Sequence, residues 1–162
     1  MLLQPPPPGF KNHQHKFSFQ IAAKPEKVWQ WLNDPKTFTD NQVWPYKVEF
    51  YSPDPDTIPN GFHVGVLTNH TGPLINFAGQ LTSIKEDYRD LQYFYGSYAI
   101  RFNWIRPYRL EFWTSPKEEG TELTCAISSY VRPSIHGLWS RSQGFFWGSF
   151  RRWSKKSIKN LN

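Results

Sequence analysis

Five histidines, one cysteine and two adjacent serines are the residues of this 162-residue chain best suited to bond-making chemistry. The histidines stand at His13, His15, His63, His70 and His136. Imidazoles converging on one ion would make a zinc or copper site. His13 and His15 adjoin the proline-rich start, and His63 and His70 fall at opposite ends of one expected strand. At about 3.3 Å per residue those two are roughly 23 Å apart, too far to share a metal. None belongs to an H-E-x-x-H pattern. No metal site and no cofactor is expected. Cys125 alternates with Leu123 and Ile127, which reads as a small buried hydrophobe. A lone cysteine also excludes an internal disulfide and a thiolate-built structural zinc site. Ser128 and Ser129 have no histidine near them in sequence. Gly144-x-x-x-Gly148 is not followed by Lys-Ser/Thr, so it is not a phosphate loop. No catalytic residue is assigned.

What remains is a set of polar groups suited to orienting a ligand in an apolar pocket: Arg101, Asn103, Arg109, Glu111, Arg132, Tyr93, Tyr95, Tyr98 and Tyr130. The tyrosines are the better candidates, because a phenol can sit in an apolar wall and still donate. Arg101 and Asn103 alternate against Ile100, Phe102 and Trp104, so an inward aromatic face sends both to solvent. Eight Trp, eight Tyr and thirteen Phe suit either a stiff core or a lined cavity. The candidate cavity residues are Trp44, Phe62, Tyr93, Tyr95, Tyr98, Phe102, Trp104, Phe112, Trp139, Phe146 and Phe150.

These residues must be held by strands and one long helix. Residues 1–15, with Pro5–Pro8, are expected to be a flexible Pro-rich leader. Residues 16–162 form one domain, long enough to bury a real core. Lys16–Ile21 alternates as a half-buried strand. Pro25 and Glu26 mark a helix start, Asp34-Pro35 stops it, and Pro35–Thr39 begins a second short helix. Strands follow at Lys47–Tyr51, Phe62–Asn69, Ile75–Ile84, Leu91–Gly96, Tyr98–Ile105, Arg109–Ser115 and Thr121–Arg132. A turn-rich connection runs from Ser52 to Gly61, and Lys85–Asp90 is a charged turn. Lys117–Gly120 is a hairpin loop with glycine where a positive φ is expected.

The last 25 residues, from Leu138, form an amphipathic helix of roughly 37 Å at about 1.5 Å per residue. Trp139, Phe146, Phe150 and Trp153 make an aromatic stripe. Arg141, Arg151, Arg152, Lys155 and Lys159 make a basic surface opposite it. Up to Gly137, thirteen Lys and Arg balance thirteen Asp and Glu, so the whole +6 net charge sits in this helix. A solvated helix back is the plain reading of that charge. Contact with an anionic membrane surface is the functional one. Nucleic acid gives no strong signal, because the basic residues are not interleaved with exposed aromatics.

The order and its motifs resemble the START/Bet v 1-like (SRPBCC, polyketide cyclase/dehydrase and lipid transport) superfamily across residues 16–160. Phe17-Ser-Phe-Gln-Ile21 followed by Ala23-Lys-Pro-Glu-Lys-Val-Trp29 is similar to the opening strand and helix start of that group. Trp44-Pro45, Gly61 and Gly120-Thr-Glu-Leu-Thr124 resemble its second-strand entry, third-strand glycine and last hairpin. The resemblance implies an α+β helix-grip: a curved antiparallel sheet of about seven strands wrapped around the C-terminal helix, with two short helices after the first strand. It also implies a deep apolar cavity. The expected function is binding of a hydrophobic small molecule or lipid, as carrier or sensor. Polyketide cyclase/dehydratase-like catalysis in the same cavity is the alternative, and peripheral binding to an anionic membrane through the basic helix is another. With no apolar run near 18 residues and no basic-then-apolar start, a cytoplasmic location is expected.

Overall fold

The computed structural model describes residues 4–42, 44–52 and 61–160. The elements run β1 (Lys11–Ile21), α1 (Pro25–Asn33), α2 (Pro35–Thr39), β2 (Lys47–Tyr51), β3 (Leu67–Gly72), β4 (Ile75–Ile84), β5 (Tyr88–Tyr93), β6 (Tyr98–Ala99), β7 (Ile105–Lys117), β8 (Gly120–Val131) and α3 (His136–Lys159). One antiparallel sheet has the order β1-β8-β7-β5-β4-β3-β2, with the two-residue β6 pairing beside it to β4 and β7. The first strand therefore pairs with the last, from Lys11↔Val131 to Ile21↔Thr121. This is the α+β helix-grip arrangement, with two short helices after β1 and the long helix at the C-terminal end.

Local chemistry accounts for the element ends. Pro25 sets the first turn of α1, where a missing N–H costs nothing, and Glu26 complements the dipole there. The Asp34 side chain accepts from the Lys36 N–H at 2.9 Å and caps α2. Gly120 adopts φ +122°, and a Cβ there would lie 2.2 Å from the Ile21 carbonyl oxygen, so glycine is required at the β7–β8 turn. The main core joins Phe19 and Ile21 of β1, Val28, Trp31 and Leu32 of α1, Leu123 and Cys125 of β8, and Trp147 and Ile158 of α3. Trp31 Nε1 donates to Ser157 Oγ at 2.9 Å and ties α1 to α3. Ala99, Ile105, Val131 and Trp139 form a second cluster.

Several elements differ from the sequence expectation, among them β5, which spans Tyr88–Tyr93 where a turn at Lys85–Asp90 and a strand at Leu91–Gly96 are expected. β1 begins at Lys11, not Lys16, and Gln4 is buried, its Nε2 donating to the Phe94 and Pro107 carbonyls at 2.7 and 3.2 Å. The leader from Gln4 onward is thus tied to the sheet. β3 begins at Leu67 because Gly65, at φ +102°, breaks the expected Phe62–Asn69 strand. Tyr98–Ile105 is not a strand throughout: Ile100 has φ +64°, and the chain turns before β7 starts at Ile105. The buried side of α3 runs Trp139, Gln143, Trp147, Ser154, Ile158, rotated from the expected stripe. Two polar residues hide that face from a hydropathy reading. Gln143 Oε1 accepts from Trp147 Nε1 at 3.1 Å, and Ser154 Oγ donates to the Arg151 carbonyl at 3.1 Å, so each is satisfied within the helix. Most of the Ser52–Gly61 connection lies outside the described residues.

Candidate functional site: an aromatic cavity between sheet and helix

The inner sheet face and α3 enclose a cavity of about 420 Å³. Alternation along each strand decides what it meets. β2 contributes Val48, β3 His70, β4 Phe77, β5 Tyr93, β7 Leu110 and Phe112, and β8 Ile127. From α3 come Phe146, Trp147, Ser149, Phe150 and Trp153, and Phe38 closes the wall from α2. Asn41, Gln42 and Tyr46 complete the lining. Asn41, Gln42, Tyr46 and Phe146 are all exposed, which puts the mouth between the α2–β2 connection and the middle of α3. A volume in this range is typical of small-molecule pockets, and no lining residue is an acid, a lysine or an arginine.

On the strands, His70 and Tyr93 interrupt the apolar wall. His70 lies against Phe77 and Tyr93, with ring centroids 6.4 and 6.2 Å away. Burial pulls its pKa down to about 4, and the nearby Arg89 charge adds to the effect, so the imidazole is neutral at physiological pH. Burial pushes the Tyr93 phenol up, partly opposed by the same charge. Cys125, fully buried behind this wall, is likewise held as a thiol by burial.

A smaller chamber of about 60 Å³ adjoins the cavity, sharing Phe38, Val48, His70, Leu110 and Phe112 as walls. Thr68, Phe62 and Arg89 lie along it. Arg89 is only 5% exposed. Its Nη1 donates to the Leu32 carbonyl in the last turn of α1, and its guanidinium sits 4.9 Å from the ring centroids of both Phe62 and Phe112. Burial brings its pKa down to about 9, which leaves it cationic at neutral pH. Burying an ion costs several kcal/mol, and each cation–π contact offsets about 1–2 of that.

The outer face of the same strands holds a separate ionic network. Arg109 pairs with Asp90 at 2.8 Å and Glu111 at 3.1 Å, and Tyr88 OH donates to Glu111 at 2.8 Å. A bulge between Pro107 and Arg109 sets this register, so Leu110 and Phe112 face inward while Arg109 and Glu111 do not. Three other polar candidates for ligand contact are also engaged elsewhere. Arg132 binds the Asn103 and Gly9 carbonyls, Tyr130 OH donates to the Gln4 carbonyl, and Arg101 lies exposed over Trp104.

Of the residues expected to line the cavity, Tyr93, Phe112, Phe146 and Phe150 do so, and Phe62 lines the small chamber. Six do not, which corrects the expectation. Trp44 is 90% exposed, and Tyr95 projects to solvent, where it meets Phe102. Tyr98 lies in the short β6, Phe102 and Trp104 sit in the turn that replaces the rest of the expected strand, and Arg106 packs over Phe102 at 3.7 Å. Trp139 belongs to the second core cluster. His70 and Arg89 were not foreseen as wall residues. Alternation carries the signal for both: Val66, Thr68 and His70 share one face, as do Arg89, Leu91 and Tyr93. Reading Lys85–Asp90 as a turn hides the second set.

Arg141, Arg151, Arg152, Lys155 and Lys159 are exposed on α3. Phe145, 78% exposed, falls on the same helical face as Arg141 and Arg152, so an aromatic is interleaved with these cations after all. Among the described residues no helix is long and apolar enough to cross a membrane. No group of three or more His, Cys, Asp or Glu among them could hold a metal.

The same architecture recurs in solved structures. Norcoclaurine synthase from Thalictrum flavum, solved with dopamine and hydroxybenzaldehyde, matches with a TM-score of 0.67 at 12% identity, over 100% of this chain and 98% of that one. MLL2253 from Mesorhizobium loti gives 0.65 at 16%, over 93% and 99%. The di-domain ARO/CYC StfQ from the steffimycin biosynthetic pathway gives 0.67 at 8%, over 91% of this chain and 51% of that one. These likenesses establish the helix-grip fold and leave function to be argued from the site. No protein-family model matches the chain, and no curated protein sequence matches it.

Proposed function

We propose that the protein binds a hydrophobic small molecule or lipid in the cavity between its sheet and α3, as a carrier or sensor. The observation that carries this reading is the wall itself: about 420 Å³ lined mainly by aromatic and aliphatic side chains, with a mouth at Phe146 and Tyr46. A void of that size in a well-packed domain forfeits contacts that a ligand would restore. Native mass spectrometry of the purified protein, followed by solvent extraction, tests it. A co-purified apolar species at one per chain is expected. A ligand-free protein that takes up no apolar compound would overturn the reading.

Catalysis of the cyclase or dehydratase kind is a second reading, favoured by one observation. His70 and Tyr93 are neutral, adjacent and on the cavity wall, so a proton acceptor and a hydroxyl donor face any bound molecule. Turnover of a reactive polyketide-like chain that His70→Phe abolishes, with binding intact, would favour this reading over simple carriage.

The exposed face of α3 supports peripheral contact with an anionic membrane. Leu138 and Phe145 alternate there with Arg141 and Arg152, the pattern of a helix that lies on a headgroup layer.

A further inference from the structure

The small chamber holds a buried cation with no counter-ion among the described residues. Arg89 donates a hydrogen bond to the Leu32 carbonyl and forms no ion pair among the described residues. Aromatic faces at Phe62 and Phe112 answer its charge but offer no acceptor in the guanidinium plane. The adjacent carboxylates cannot serve. Asp90 and Glu111 lie on the opposite face of the sheet and are bound by Arg109. Thr68, 2% exposed, lines the same chamber, and its Oγ1 has no hydrogen-bond partner among the described residues. Buried polar groups are nearly always satisfied and buried ions nearly always paired, so a partnerless hydroxyl beside a guanidinium with no counter-ion marks a missing partner.

We infer that this chamber receives the carboxylate of a hydrophobic monocarboxylic acid whose apolar body fills the larger cavity. The inference rests on the cavity being a ligand site and adds the chemistry of the ligand's inner end. A carboxylate presents two acceptor oxygens and one negative charge, which matches one guanidinium edge and one hydroxyl. At about 60 Å³ the chamber holds roughly two waters' worth of volume, room for a planar carboxylate. A phosphate brings more oxygens and more charge than Arg89 and Thr68 can answer. A neutral carbonyl or alcohol would leave the cation uncompensated. The shared walls at His70, Leu110 and Phe112 let one molecule occupy both spaces.

Arg89 also holds the last turn of α1, so a purely structural role must be distinguished from recognition. The test uses delipidated full-length protein with a bound apolar fluorescent probe, displaced by two matched pairs: dodecanoate against 1-dodecanol, and 2-naphthoate against 2-naphthalenemethanol. At least one acid should displace the probe about ten-fold or more better than its alcohol, the range of a charge-assisted hydrogen bond. Arg89→Gln should bring that pair within about two-fold while leaving the alcohol's affinity unchanged. Thr68→Val, which exchanges a hydroxyl for a methyl and leaves α1 untouched, should lower acid affinity alone by several-fold and serves if Arg89→Gln does not fold. Acids and alcohols binding wild type equally would overturn the inference and leave the cavity reading standing. An acid preference that survives in Thr68→Val and in any Arg89→Gln that folds also overturns it. If no compound of either pair binds, both fail together.

Discussion

The His70 and Tyr93 rings meet edge to face, 6.2 Å apart with planes at 80°, on the inner wall of the cavity. His70 stays neutral there because its protonation is opposed first by burial and then by Arg89. An unfolded chain binds that proton near pH 6.5, whereas the folded one binds it near 4. Stability is therefore full above about 6.5 and is lost as pH falls from there through about 4. The His70 share is at most roughly 3 kcal/mol. His13 and His15, lowered by burial first, act in the same direction. Urea unfolding of wild type and His70→Phe at pH 7.5 and 4.5 should show a shallower pH dependence in the variant. Identical dependences would contradict the assignment.

The Arg109 network on the outer face provides a contrast between stability and binding. Asp90 and Glu111 are nearly buried and share the one guanidinium, itself about a third exposed. Arg109→Met leaves two carboxylates without their cation. A loss of about 2–3 kcal/mol is expected, at the low end for a broken buried pair because Arg109 is partly solvated. Probe affinity at a temperature where the variant is folded should not change. A selective loss of binding would mean that the two sheet faces are coupled.

Gly144 and Gly148 lie in the middle of α3, and a Cβ at either would meet nothing within 4 Å. Each glycine then costs helix stability without serving a close approach. Gly144→Ala and Gly148→Ala should each stabilise the protein by about 0.5–1 kcal/mol. Thermal unfolding measures this directly. A lower midpoint for either would show that the helix needs to bend there.

Leu138, Arg141, Phe145 and Arg152 give the exposed face of α3 both apolar and cationic character. Co-sedimentation with vesicles containing one quarter phosphatidylserine should be measurable at low salt and fall as salt rises. Arg141→Glu with Arg152→Glu should abolish it, and Phe145→Ser should weaken it. Binding indifferent to salt and to these changes would remove the membrane reading.

Much of this organisation was legible in the sequence because strong local signals agree. Proline at a helix start, Asp34-Pro35 between two helices and Gly120 at a hairpin each fix an element with little help from packing. The inner wall was harder to read. Trp44, Tyr95 and Trp104 are aromatic, yet turns and edges leave them outward. Composition makes an aromatic a candidate for the wall; only register puts it there. Arg89 and His70 were hidden by their polarity, although alternation with Leu91, Tyr93 and Val66 marks their side of the sheet. The buried face of α3 is hidden for a related reason: Gln143 and Ser154 make hydrogen bonds within the helix and so can be buried.

The central claim, that the cavity between sheet and helix is a binding site, is tested most directly by titrating delipidated protein with an apolar fluorescent probe. Ile127 projects from β8 into the cavity, and Ile127→Trp would occupy it at a packing cost of about 1–3 kcal/mol. Saturable one-to-one binding by wild type, lost in an Ile127→Trp variant that still unfolds cooperatively, is the predicted result. Absence of binding, or binding that the filled cavity leaves unchanged, would contradict it.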